Sequence, residues 1–356
     1  MNVGIVDGGH VEWIEAFSSP KGAAMTRRSL FAFLALLLPT QLFAQSSGEA
    51  PIRAALAKAL PLLEKSAAGH RDNRACYACH NQGVPILALV TARSRGFAID
   101  EEELKKHMGH ISTFLAKNKD GYRKGRGQGG QVATAGYALW TLEVGGWKAD
   151  DTTAAVAEYL LLFNKDLDHY KLSANRPPSE QSPFMGAYVA LRGMQVYGTE
   201  DQKERIKQRT ETLLGWMRKT PAKDTEDRVF RLWSLKRAGA EAKELKEATD
   251  ELLKTQQPGG GWAQTDKLGP DAYATGSALV VLSEVAGLSA SEPAYRHGVE
   301  FLLKTQLKDG SWHVVSRSKP FQTYFETGFP HGKDQFISAA ASGWAATALA
   351  LSVEKR

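Results

Sequence analysis

The sequence predicts an all-α fold of paired helices stacked as a repeat, and three observations predict it. Apolar residues recur at helical spacing almost throughout the chain beyond residue 51, and the breaks fall at Gly, Pro and Asp/Asn clusters with no convincing pair of strands. "LLKTQQPGGGW" (252–262) returns fifty residues later as "LLKTQLKDGSW" (302–312). Each copy is followed by a small-residue helix, "YATGSALVVL" or "AASGWAATALAL", and "VATAGYALWTL" (132–142) reads as an earlier, diverged member. Helices are expected in order at about 52–66, 84–95, 101–117, 131–144, 151–163, 183–197, 200–218, 225–238, 241–255, 272–286, 291–305 and 337–353. A period of this length means that each hairpin buries its apolar face against its neighbours.

Gln256-x-x-x-Gly260-x-Trp262 and Gln306-x-x-x-Gly310-x-Trp312 resemble the QW repeats of the squalene/hopene cyclase and protein prenyltransferase superfamily. The resemblance implies an α/α toroid of about six helical hairpins; another all-α solenoid is the alternative. In such a motif the glutamine can satisfy loose backbone groups at a helix end, the glycine permits the turn, and the tryptophan packs across the next hairpin. The small residues Ala274, Gly276 and Ala278, and Ala341, Gly343 and Ala345, allow close approach and mark the inner ring. A single toroid domain is expected over 45–356, behind an N-terminal extension and signal peptide at 1–44.

"RACYACHNQG" (74–83) holds both cysteines of the chain, three apart, with His80 next. Zinc wants about four soft ligands and would need a distant histidine. A thioredoxin-like pair wants a βαβ setting that is missing here. C-x-x-C-H is the attachment signature of one covalent haem c, with Cys76 and Cys79 as thioether anchors and His80 as proximal iron ligand. A short-loop disulfide, or two thiols beside a capping histidine, is the structural alternative.

Compartment supports the haem reading. "MTRR" at 25–28, the apolar run Leu30–Leu38 and a small residue at Ala44 read as a cleavable signal peptide over 25–44, with translation starting at Met25, and a periplasmic or secreted product. The run is too short to span a bilayer, so no membrane span is expected in the mature chain. With 45 Lys+Arg against 39 Asp+Glu, the net charge is +6, but the basic residues alternate with acids on solvated faces, which argues against nucleic acid.

The chemistry of the resembled cyclases depends on an acidic D-x-D-D cluster. Its nearest match here, Lys148-Ala149-Asp150-Asp151-Thr152, has lysine at the first position and reads as a helix N-cap. The zinc triad of the prenyltransferases needs a cysteine, and both are committed. The insertion "SKPFQTYFETGFPHGKDQF" (318–336) is rich in functional groups. Closure of a ring would return the last hairpin beside the first, so His331 is expected over the haem as distal ligand or as a catalytic group above an open iron, with His110 as runner-up. The function expected is electron transfer or haem-dependent oxidation with a redox partner protein or small-molecule substrate. The alternatives are a terpenoid- or lipid-binding protein or enzyme without haem, and a structural partner-binding toroid.

Overall fold

Among the residues described by the computed structural model (42–173, 176–319 and 323–355), thirteen α-helices follow one another without a strand. They are α1 (Leu42–Asn73), α2 (Val84–Arg93), α3 (Glu101–Ala116), α4 (Lys119–Tyr122), α5 (Gln131–Val144), α6 (Asp151–Leu162), α7 (Pro183–Tyr197), α8 (Lys203–Lys219), α9 (Thr225–Arg237), α10 (Ala242–Leu253), α11 (Ala272–Ala286), α12 (Pro293–Thr305) and α13 (Gln335–Leu351). The twelve expected helices all form, and α4 is a single additional turn. Helix α1 runs through Pro51 and Pro61 and so begins about ten residues before the expected start at 52. The expected signal peptide lies outside the described residues apart from its last positions, where α1 begins.

Six helices form an inner ring. Each of α2, α5, α7, α9 and α11 packs on the next, and α13 packs on both α11 and α2, closing the circle. Helices α1, α3, α6, α8, α10 and α12 lie outside, one before each inner helix. Composition explains the division. Helix α11 is buried continuously over Ala272–Leu282, and α13 is buried at every position from Ile337 to Ala350, whereas α10 buries only Ala248, Thr249 and Leu252.

Glycines set the spacing of the ring. A Cβ on Gly276 of α11 would lie 2.6 Å from the backbone of Trp344 and Ala345 in α13, and one on Gly343 of α13 would lie 3.0 Å from the Val84 carbonyl in α2. Gly276→Val is therefore expected to destabilise the protein by ~3 kcal/mol or more, since the backbones must separate. Denaturant unfolding checks this, and a variant as stable as the parent would show that the inner helices are not held at this distance.

The two QW motifs behave as repeats of one connector. Trp262 and Trp312 are fully buried, and their Nε1–H groups donate to the carbonyls of Leu252 (3.0 Å) and Leu302 (2.9 Å). Gln256 Nε2 donates to Gly260 O and to Ala294 O of the next outer helix; Gln306 Nε2 donates to Gly310 O and to Ala55 O of α1. Gly260 and Gly310 adopt φ of 87° and 94° and press against the backbones of His297 and Lys58 respectively. The same glutamine thus ties each hairpin to the following one, and in the last repeat it ties the end of the ring to its start.

Aromatic side chains from the inner helices meet at the centre. Trp140 lies 5.1 Å from Tyr188, 6.0 Å from Trp233 and 6.2 Å from Trp344, ring centre to ring centre, and Trp233 lies 5.8 Å from Trp344. All four are buried. These contacts plug the axis with mutually packed rings.

Candidate functional site

Helix α1 ends at Asn73, and the next residues form a short extended loop that leads into one π-helical turn, Cys79–Gly83. The turn is closed by Gly83 N–H to Ala78 O, and the Gln82 side chain accepts from Ala78 N–H at 3.2 Å. Such turns interrupt the regular ladder and recur at functional sites. Two imidazoles hold the loop from outside. His70 Nε2–H donates to Cys76 O at 2.9 Å, and His110 Nε2–H donates to Arg74 O at 3.2 Å while its Nδ1 accepts from Gln82 Nε2. His110 therefore supports the segment through its backbone.

The two cysteines are free thiols in different surroundings: Cys76 is exposed and Cys79 is buried. The Cys79 thiol donates to Oε1 of Glu180, a residue from the loop before α7. His80 Nδ1 lies 3.8 Å from the same carboxylate oxygen, and Glu180 Oε2 is paired with Arg176 at 3.1 Å. His80 Nε2 makes no hydrogen bond to any described residue, and its ring meets Phe336 edge-on at 5.6 Å.

The electrostatics of this cluster are consistent with its geometry. Burial opposes the charge of Glu180, which is only 2% exposed, but the facing His80 imidazole, the Arg176 guanidinium and the Cys79 thiol prevail and hold its carboxyl below the usual range. Burial and the Glu180 charge push the Cys79 thiol well up, so it stays protonated and donates. Glu180 adopts φ of 59°, a left-handed conformation costly for a residue with a Cβ. The sequence reading missed Glu180: it lies 101 positions from Cys79 in a loop without periodicity, and only the closed ring brings the two together.

His80 and Glu180 form part of the wall of a cavity of about 400 Å³. Pro177, Phe336 and Ile337 supply apolar wall, Tyr324 closes one side, and Arg176, Lys319 and Lys333 bring positive charge. Neither cysteine sulfur is in this wall: Cys76 opens to solvent, and Cys79 is buried against Glu180.

The 318–336 insertion does return to the N-terminal segment. Arg74 donates to Thr323 O at 3.2 Å and stacks 4.2 Å over Phe325, and a Cβ on Gly69 would strike the Thr327 carbonyl at 2.0 Å. The residue it presents differs from the one expected. His331 bonds to Ser311 Oγ at 2.8 Å and stacks on His313 at 4.6 Å, outside the cavity wall, so the structure does not bring it to His80. His331 adopts φ of 84°, and the insertion residues that line the cavity include Tyr324, Lys333 and Phe336.

A second acid was also missed. Glu226, in the first turn of α9, is buried, and neither carboxylate oxygen has a hydrogen bond of normal geometry. Burial first, then the charges of Asp224, Asp227 and Glu180, push its carboxyl well up, with some electrostatic relief from the Glu180 backbone. By contrast Asp150 caps α6, accepting from Thr153 N–H at 2.8 Å, and Asp151 pairs with Lys119 at 2.8 Å on the exposed surface. The Lys148–Thr152 segment is thus a helix start away from the axis, as its sequence predicts.

Chemically, Cys79, His80 and Glu180 offer three donor atoms within 4.8 Å of one another, a set that could hold a small cation, or through His80 alone the iron of a larger group. No protein-family model and no curated protein matches the chain. A solved structure of an alanine variant of a type II terpene cyclase from Scytonema, in complex with its product merosterolic acid A, is similar with a TM-score of 0.53 and 14% identity. The match covers 86% of this chain and 99% of that one. At that identity the likeness is one of architecture: this chain has the α/α toroid of a type II terpene cyclase.

Proposed function

We propose that this protein is an exported c-type haem protein on a cyclase-like toroid, working in electron transfer or as a haem-dependent oxidoreductase. Cys76 and Cys79 are the thioether anchors and His80 is the proximal ligand. The observation that carries the reading is the state of His80: it stands in a cavity wall with Nε2 free and Nδ1 facing the buried carboxylate of Glu180. A carboxylate on that side of the ring favours a proton on Nδ1 and leaves Nε2 as the nitrogen that can ligate a metal, which supports the reading.

The residues match the group in kind: both cysteines are free thiols beside His80 in the chain, with Cys79 turned to Glu180 and Cys76 to solvent, and the cavity that His80 lines has apolar walls with Lys319 and Lys333 at hand for acidic substituents. Bound haem would supply a one-electron couple tuned by its ligand and surroundings. Once Cys79 is alkylated its sulfur has no proton to donate, which leaves Glu180 to His80 and Arg176. The pair His70 and His110 keeps the loop carbonyls of Cys76 and Arg74 in place.

The fold comparison supports a second reading, a terpenoid- or lipid-binding toroid without haem, with the same cavity as its site. Cyclisation along the axis is not part of that reading, because Trp140, Tyr188, Trp233 and Trp344 occupy the centre.

Expression with a cytochrome c maturation system tests both. The expected product has a Soret band, carries one haem that survives acid-acetone extraction, and loses it in the Cys76→Ala/Cys79→Ala variant. A colourless chain with one zinc would overturn this in favour of a Cys79/His80/Glu180 metal centre. A colourless, metal-free chain releasing an extractable apolar compound would favour the second reading.

A further inference from the structure

We propose that the cavity beside His80 selects apolar molecules bearing carboxylate, with Lys319 and Lys333 as the pair that binds the anionic groups. The proposal rests on the reading of this cavity as a ligand site but not on covalent attachment. Its motive is an imbalance of charge. Among the described residues Arg176, Lys319 and Lys333 face the cavity against a single acid, Glu180, and Glu180 is already paired with Arg176 at 3.1 Å.

The other acids of the insertion are engaged elsewhere. Asp334 accepts from His313 Nε2 at 2.8 Å and from Ser316 N–H at 2.9 Å. Glu326 accepts from Tyr324 Oη and from Gln335 Nε2. Neither lysine has an ion pair among the described residues, and both are exposed, so their ammonium groups can meet an anion without leaving water completely. Behind them Phe336, Ile337 and Pro177 form a surface that rewards an apolar body. A carboxylate at one edge of an apolar molecule satisfies both halves. The propionates of haem and the head of a free lipid or terpenoid acid share this chemistry.

The test titrates the full chain, expressed without haem-attachment machinery, with four probes: haemin, haemin dimethyl ester, dodecanoate and dodecanol. At least one acid is expected to bind about tenfold or more tightly than its uncharged partner, with the advantage shrinking as salt rises. Lys319→Gln/Lys333→Gln is expected to remove that advantage while leaving affinity for the ester and the alcohol unchanged. Circular dichroism of the variant confirms the fold. If haemin alone shows the lysine dependence, the anionic groups served are propionates; if dodecanoate alone shows it, they are lipid heads. Equal affinity for acid and uncharged partner in both pairs, or equal loss for both in the double variant, would overturn the proposal. Failure of covalent haem attachment would leave these titrations standing, so the two readings fail separately.

Discussion

Replacing Trp312 by alanine is expected to lower the unfolding free energy by ~4 kcal/mol, the cost of deleting a fully buried indole from a core that cannot close over the gap. For a chain of this size that corresponds to a fall in Tm of roughly 6 °C. Two further losses push in the same direction. The Leu302 carbonyl loses its indole donor, and the turn that Trp312 anchors contains Gln306 and Gly310, which bind Ala55 O and pack on Lys58 of α1. Trp312 therefore supports the contact that closes the ring, whereas its counterpart Trp262 supports a contact within it. Trp312→Phe is expected to fall between the two, keeping most of the volume and losing only the indole donor of a carbonyl that still accepts from Gln306 N–H. Thermal unfolding decides, with Lys243→Ala on the exposed face of α10 as the reference. A Trp312→Ala variant that melts with that reference would refute the closing role.

What the sequence made legible follows from the range of each interaction. Helices were readable because their signals are local: Asp150 three residues before Thr153, Pro183 at the start of α7, and the small residues of α11 and α13. The QW motif was readable because its glutamine, glycine and tryptophan are partly satisfied within eleven residues of one another. The site was only half readable. Cys76, Cys79 and His80 stand together in the chain, but the residues that face them come from elsewhere. Glu180 arrives from a loop between two helices, and Phe336, Tyr324 and Lys333 arrive by closure of the ring. Reasoning from closure brought the insertion to the right place. Within it His331 meets Ser311 and His313 and is not among the residues lining the cavity, and histidine chemistry alone does not show which way a backbone at φ 84° points the ring.

Acid is expected to destabilise the N-terminal part of the toroid between pH 6.5 and 4.5, and His107 supplies a clean way to see it. His70 and His107 are 3% and 2% exposed, and burial brings each down from 6.5 to about 4. For His107 the Arg71 guanidinium adds to the burial, while Glu103 works against it; for His70 the hydrogen bond to Cys76 O works against burial, and nearby His80, His110 and Arg74 add to it. A folded pKa below the unfolded one means that the unfolded chain takes up the proton first. The contribution is therefore fully present above about pH 6.5 and is lost as pH falls toward 4, by ~2.5 kcal/mol per histidine at pH 4.5. Paired carboxylates such as Glu103, held at about 2, give way only below 4.5, outside this window. Glu226 acts with the opposite sign, since burial raises its pKa and its ionised form is relieved as pH falls. The measurement that separates these is a difference: His107→Leu removes one titration, and no hydrogen bond of the His107 Nδ1 is lost with it. Between pH 7 and 4.5 the parent should lose ~2.5 kcal/mol more than this variant in urea unfolding, whatever Glu226 contributes to both. Parallel stability profiles for parent and variant would show that His107 is not held neutral by its burial.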